Sequence, residues 1–105
     1  MSFQDNLAAM PSIDHLSGLD VCNGQGETVH HIPAAPGKLG SLKLYYALAQ
    51  EFDHQLNAAA ADRGLELFVE HVADAEANPG KHPNIDLLFR VKAENLAYRL
   101  KPLHA

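Results

Sequence analysis

The stretch NIDLLFRVKAENLAYRLK, residues 84–101, decides which fold the sequence predicts. Its first half alternates two sets of residues, Ile85, Leu87, Phe89 and Val91 against Asp86, Leu88, Arg90 and Lys92. Its second half repeats the alternation, with Leu96, Tyr98 and Leu100 against Ala97, Arg99 and Lys101. Period two is typical of a strand that buries one face, and Asn95 tolerates the left-handed conformation of a short turn. We therefore predict an antiparallel hairpin over residues 85–101.

The first half of this stretch also fits a helix. Ile85, Leu88 and Phe89 recur at helical spacing, and Asn84 is a residue that caps helices well. Alternation over two consecutive segments favours strands, and the predicted fold depends on this choice.

Two helices are predicted before this hairpin. Ser41 is a suitable N-cap for a helix to about residue 52 or 54, with an apolar stripe of Leu42, Tyr45, Tyr46, Ala49 and Phe52. Asn57 is suited to cap the second helix, whose stripe includes Leu67, Phe68 and His71 and ends near Ala75. Asn78-Pro79-Gly80 then supplies the residues that end a helix.

The first third of the chain predicts another hairpin. Residues 15–22 and 27–32 flank Asn23-Gly24-Gln25-Gly26, and Asn-Gly favours a tight turn. A short helix over residues 3–10, capped by Ser2, precedes it. The predicted fold is therefore α+β, a two-layer ββααββ domain with two helices on one face of a four-stranded antiparallel sheet.

Composition limits the function classes. The 105 residues, 47% of them hydrophobic, suffice for a single domain over residues 1–105. A formal net charge of −5 argues against nucleic-acid binding. No apolar run approaches the roughly 18 residues of a membrane span, and the first residues lack the pattern of a secretory signal. With Cys22 as the one cysteine, an internal disulfide is excluded. We expect a cytoplasmic protein with no nucleic-acid or membrane partner.

One segment has the composition of an anion site. Pro36-Gly37-Lys38-Leu39-Gly40-Ser41 opens a predicted helix, and free N–H groups at a helix start attract phosphate or carboxylate. The spacing is not that of a P-loop, in which Ser or Thr follows Gly-Lys directly, and an ordinary loop before a capped helix is the simpler interpretation. We predict a ligand site made of Lys38, Gly40, Ser41, His82 and Asn84.

Two alternative functions remain open. His31, His82 and Asp86 supply the ligand types of a divalent transition metal, which would suit a small metal-assisted enzyme. Solvated surface histidines are the competing interpretation, because no helix carries a His-x3-His pair. The second alternative is an interaction adaptor that uses a basic outer face of the C-terminal hairpin, formed by Arg90, Lys92, Arg99 and Lys101. No particular cofactor is indicated, and catalytic activity is left open.

The segments HHIPAAPGKLGSL (30–42) and NPGKHPNIDLL (78–88) resemble a family of small uncharacterised bacterial proteins. The resemblance extends over nearly the whole chain and implies a stand-alone bacterial cytoplasmic protein. The family is a domain of unknown function, so it implies no catalytic residues. The leading hypothesis is therefore a homodimeric binding module for a small anion, because the predicted fold leaves sheet edges that a small monomer covers poorly.

Overall fold

Helices and strands are interspersed along residues 2–105, which the computed structural model describes. They are, in chain order, α1 (Phe3–Ala8), β1 (Leu16–Cys22), β2 (Thr28–Pro33), α2 (Leu39–Glu51), β3 (Gln55–Leu56), α3 (Ala58–Phe68), α4 (Glu70–Ala77), α5 (Pro83–Glu94) and β4 (Tyr98–His104). The α+β class is confirmed, as are α1 with its Ser2 cap and the β1–β2 hairpin. The first predicted helix is present as α2, but Ser41 is not its N-cap: Lys38 is the N-cap, so the helix begins three residues earlier and Ser41 lies inside its first turn.

The four strands form one antiparallel sheet in the order β2-β1-β4-β3, so a four-stranded antiparallel sheet is confirmed. Val21 lies opposite His30 on one side and Leu100 on the other, and Leu19 opposite Ile32 and Pro102. The buried face of the sheet, which carries Leu19 and Val21, is covered by α2, and this helix contacts all four strands. The helices α3 and α5 pack against each other. The sequence order of elements matches ββααββ only loosely.

The predicted C-terminal hairpin is wrong in its first half, because residues 83–94 form α5. Ile85, Leu88 and Val91 are buried together at helical spacing. Pro83 is the first helical residue, where its fixed φ and missing N–H cost nothing. Asn95 does adopt the left-handed conformation, at φ 52°, but it ends the helix by donating its N–H to Val91 and Lys92 oxygens. Strand β4 therefore pairs with β1 and with the two-residue β3.

The second predicted helix, which was expected to run from the Asn57 cap to Asn78-Pro79-Gly80, is also corrected. Asn57 caps it as expected, with Oδ1 accepting the Ala60 N–H at 3.0 Å. The helix ends at Phe68 and a new one begins at Glu70, because Val69 takes φ 47° and ψ −108°. These angles leave the helical region. The break turns Phe68 into the core, where its ring stacks on Phe3 at 5.3 Å.

The hydrophobic core joins the inner face of the sheet to the helices. Its largest fully buried side chains include Tyr45, Leu48, Leu88 and Leu100, from α2, α5 and β4. None of the helices formed by residues 2–105 has the length and apolar character that a membrane crossing requires.

Candidate ligand-binding cleft

A cleft of about 400 Å³ lies where the first turns of α2 and α5 meet. It is bounded by Phe3, Gln4 and Leu7 of α1, by residues 37–41, by Phe68 and His71, and by residues 81–85. We call it the α2–α5 cleft. It brings together all five residues of the predicted ligand site, Lys38, Gly40, Ser41, His82 and Asn84.

Backbone N–H groups at the start of α2 are available to a ligand. Lys38 caps the helix without a side-chain hydrogen bond. The first bond of the ladder runs from the Leu42 N–H to the Lys38 oxygen at 3.0 Å. Within residues 2–105, the N–H groups of Leu39, Gly40 and Ser41 therefore have no protein acceptor. Together with the positive end of the helix dipole, they favour a negative charge.

Gly40 serves packing as well as the cleft. A Cβ at this position would lie 3.3 Å from two atoms of the Phe3 ring and 3.5 Å from Leu7. The missing side chain thus lets α1 approach the first turn of α2. This close packing fixes Phe3 as one wall of the cleft.

Asn84 is held by two hydrogen bonds at the start of α5. The His30 ring N–H donates to Asn84 Oδ1 at 2.6 Å, and the Tyr45 hydroxyl donates to the Asn84 backbone oxygen at 2.6 Å. Burial raises the pKa of Tyr45, so its hydroxyl stays a donor. Asn84 is only 7% exposed, and its Nδ2 contacts no acceptor within the described chain. An amide that is fixed in place and keeps two free donors on a cleft wall is suited to bind an acceptor.

The ionisable side chains that line the cleft are all basic. They are Lys38, His71, Lys81 and His82, and the lining supplied by residues 2–105 contains no Asp or Glu. Just behind it, Asp74 Oδ2 accepts from the His82 ring at 2.6 Å and from Lys81 Nζ at 3.0 Å. These hydrogen bonds, from His82 first and then Lys81, lower the pKa of Asp74 to about 2.

Asp74 therefore offsets part of the charge of Lys81 and His82. Lys38 forms no ion pair with the described carboxylates, so it is the cation that a ligand can engage most directly.

The helix break at Val69 shapes the opposite wall. Glu70 Oε1 accepts the Phe3 N–H at 2.7 Å, and this bond is the main cause of a lowered Glu70 pKa. His71 packs edge-on against the Phe3 ring at 5.0 Å and lies 5.9 Å from the His82 ring. Sequence reasoning noted His71 on an apolar stripe but missed Lys81 and Phe3 as lining residues. Lys81 stands next to His82 in sequence, which was the available signal.

The residues of the hypothetical metal site are not brought together. His31 lies on the outer face of the sheet, where Nδ1 pairs with Asp20 Oδ1 at 2.6 Å. His82 lines the cleft, and Asp86 Oδ2 accepts the Gly80 N–H at 2.9 Å. In the part of the chain that the structure describes, no group of three or more His, Cys, Asp and Glu residues could hold a metal ion.

The basic face proposed for an adaptor does not exist as one surface. Arg90 and Lys92 lie on α5, where they pair with Glu94 at 3.3 Å and with Asp62 at 2.7 Å. Arg99 and Lys101 lie on β4, opposite Cys22 and Asp20 of β1. The patch is lost because residues 83–94 form a helix.

Among known proteins, the chain matches one family. No curated protein and no solved structure matches the chain. A family model described as an uncharacterized protein conserved in bacteria (DUF2322) matches residues 3–102. That range contains all the elements around the cleft. The chain therefore belongs to this family of uncharacterized bacterial proteins, DUF2322.

Proposed function

We propose that the chain is a binding module for a small anionic ligand, which occupies the α2–α5 cleft. One observation carries the proposal: the free N–H groups of Leu39, Gly40 and Ser41 and the unpaired Asn84 amide share a cleft whose ionisable lining is basic. The chain as a whole carries a formal net charge of −5, so the basic lining of the cleft is opposite in sign to the net charge of the protein. These donors face the cleft, where an anion would accept from them.

The residues have distinct roles in this proposal. The N–H groups of the first turn of α2 donate to the anion, as helix starts commonly do. Lys38 supplies the positive charge, and Asn84 Nδ2 donates from the opposite wall. His30 keeps Asn84 Oδ1 occupied, so the amide presents donors to the cleft. Because the lining offers N–H donors and basic side chains, it disfavours a positively charged ligand and favours phosphate or carboxylate.

Titration with inorganic phosphate and with sulfate, followed by amide NMR, tests the proposal. We expect shifts that saturate at Leu39, Gly40 and Ser41. Lys38→Ala should weaken binding by at least about tenfold, since a hydrogen bond to a charged group contributes roughly 1.5–3 kcal/mol. Lys43→Ala is the matched control, because it removes the same charge from α2 outside the cleft lining. If the two variants lost the same affinity for phosphate, the loss would come from the change in net charge and not from a contact at Lys38.

Asn84→Asp is the sharper variant. It keeps an oxygen to accept from His30 but replaces the two free N–H donors with a negative oxygen. We expect it to abolish anion binding while thermal unfolding shows that the protein still folds. Undiminished phosphate binding by this variant would contradict the placement of the ligand at Asn84.

The proposed module is a homodimer joined at strand β2. This strand is one edge of the sheet. The Ala34 N–H donates to the Ser17 oxygen, so the alternation of an antiparallel ladder directs the His31 backbone groups away from β1. Val29 is 44% exposed, and an open edge favours pairing with a second copy. Sedimentation equilibrium at micromolar concentration should give a dimer mass that Val29→Lys lowers; a monomer mass for the native chain refutes it.

Two broader expectations accompany the proposal. We expect residues 1–105 to fold as one domain and the protein to act in the cytoplasm. A single cooperative unfolding transition and localisation of a tagged chain by cell fractionation are the respective tests.

A further inference from the structure

The α2–α5 cleft is larger than a simple oxyanion requires. Its volume is about 400 Å³. A water molecule takes about 30 Å³ of liquid, and phosphate or sulfate occupies the space of only a few waters. Most of the cleft would therefore stay unfilled if an inorganic ion were its ligand.

The remaining space borders apolar side chains. Phe3 and Leu7 of α1 form one side, and Leu39 forms the rim at the start of α2. Leu39 is 47% exposed, which makes it one of three exposed large apolar residues in the described chain, with Val29 and Val69. It is the one of these three that lines this cleft. An exposed leucine beside a cleft has apolar surface that a ligand can cover.

The polar and apolar parts of the lining are adjacent. Lys38, the N-cap, directly precedes Leu39, the first residue of α2, and Gly40 follows under the Phe3 ring. Asn84, whose Nδ2 donors have no acceptor in the described chain, lies on the same lining. A ligand bound by its charged group at the helix start would thus place its next atoms against Leu39 and Phe3.

We infer that the cleft binds an organic anion, a phosphate or carboxylate that carries a compact apolar group, in preference to an inorganic ion. The inference rests on the proposed anion site and adds the class of ligand. The charged group contacts the N–H groups of Leu39–Ser41, Lys38 and Asn84. The apolar group contacts Leu39, Leu7 and the Phe3 ring.

Calorimetric titration of the full chain with matched ligand pairs tests this inference. Phenyl phosphate is compared with inorganic phosphate, and benzoate with acetate, so that the two anion classes are read separately. We expect the aromatic member of the bound class to bind roughly tenfold more tightly, because its ring leaves water. Equal affinity within the pair that binds overturns the inference but leaves the anion site standing. Absence of binding by all four anions overturns the anion site itself.

Leu39→Ser locates the apolar contact. Serine is compatible with the first turn of a helix, so this exposed substitution should leave folding intact. We expect it to lower the ratio of the aromatic to the simple-anion affinity towards one; both ligands of a pair share the N–H contacts, so this ratio reports the apolar contact alone. Val29→Ser is the matched control, because Val29 is about equally exposed but lies on β2. A preference that survives Leu39→Ser, or that Val29→Ser lowers as much, overturns the inference.

Discussion

Val69 is a β-branched residue in a backbone conformation that side chains disfavour. Its φ of 47° and ψ of −108° separate α3 from α4. Such conformations cost of the order of 1–3 kcal/mol and persist where surrounding contacts hold them. Here the contacts are the Phe3–Phe68 stack and the hydrogen bond from the Phe3 N–H to Glu70. The strain therefore has a structural use, because it sets one wall of the cleft.

The strain at Val69 predicts that glycine and alanine variants differ in stability in the direction opposite to the usual one. In an ordinary helix, alanine is more stable than glycine by about 1 kcal/mol. At Val69 we expect Val69→Gly to be more stable than Val69→Ala by about that amount, because glycine accepts positive φ without strain. Urea unfolding measures both. Ala73, exposed within α4, is the control position, where Ala73→Gly should destabilise in the normal direction. If alanine were more stable than glycine at both position 69 and position 73, the inference of backbone strain at Val69 would be contradicted.

Gly64 lets α3 lie close to α5 and α2. A Cβ there would stand 2.7 Å from Leu88 Cδ1 and 3.1 Å from Leu48 Cδ1. Both leucines are fully buried, so a shift of either side chain disturbs the neighbours packed around it. Shape therefore outweighs the gain in helix propensity that alanine would bring.

Gly64→Ala should lower the free energy of unfolding by about 1–3 kcal/mol, the usual cost of overpacking. Denaturant titration gives the value. In a Leu88→Ala background the same substitution should cost much less or even stabilise, since the clashing methyl group is gone. A stabilising Gly64→Ala in the native background would show that the helices can separate at no cost.

At the scale of elements, α5 shows where sequence reasoning fails. Apolar residues at 85, 87, 89 and 91 satisfy period two, yet Leu88 is also fully buried. The helix is specified at its ends, by Pro83 at the first position, Asp86 in the first turn, Lys92 in the last and Asn95 beyond it. These signals at the helix ends were present in the sequence. They outweigh the alternation of apolar and polar residues, which arises here by coincidence.

Elements with strong local chemistry were predictable. The hairpin turn has Asn23 Oδ1 accepting N–H groups of Gln25 and Glu27, with Gly26 at φ 81°. The helix α2 was predictable from its apolar stripe, but its start was not, because Lys38 caps it without a side-chain hydrogen bond and the suitable cap, Ser41, lies inside the first turn. The break at Val69 was not predictable, because valine is among the residues least suited to positive φ. The five predicted site residues meet because both segments open helices, whereas Phe3 and His71 reach the cleft through tertiary packing.

The start of α5 is tied to α2 by Tyr45, which predicts a measurable contribution to stability. Tyr45→Phe removes the donor to the Asn84 oxygen and should lower the free energy of unfolding by about 1 kcal/mol. Tyr46→Phe is the matched control, because its hydroxyl contacts an exposed His15 nitrogen at 3.2 Å and should matter little. Equal effects of the two substitutions, measured by chemical denaturation, would contradict this.

At the scale of the whole molecule, lowered carboxyl pKa values predict acid sensitivity. The pKa of Asp74 is about 2 in the folded state against an ordinary 3.8, and those of Glu70 and Asp5 are also lowered. A depressed pKa stabilises the fold above the ordinary value, and this stabilisation is lost as the pH falls towards the folded value. We therefore expect the melting temperature to fall between about pH 4 and pH 2.

Asp74→Asn tests the source of this acid sensitivity. The variant should lose less stability than the native chain over the same pH range, because one proton-linked interaction has gone. Asp14→Asn, at an exposed residue without an ion pair in the described chain, should follow the native curve. Thermal melts at several pH values decide, and parallel curves for Asp74→Asn and the native chain would exclude Asp74 as the cause.

The position of β4 between β1 and β3 has a consequence for synthesis on the ribosome. β1 and β2 leave the exit tunnel first, but β4, which pairs with the other side of β1, is made only after α2, β3 and α3–α5. Throughout that interval the nascent hairpin exposes a row of backbone donors and acceptors to neighbouring polypeptides in the polysome. Early protection by a tunnel-exit chaperone would thus improve the yield of this protein more than that of a sheet assembled in sequence order.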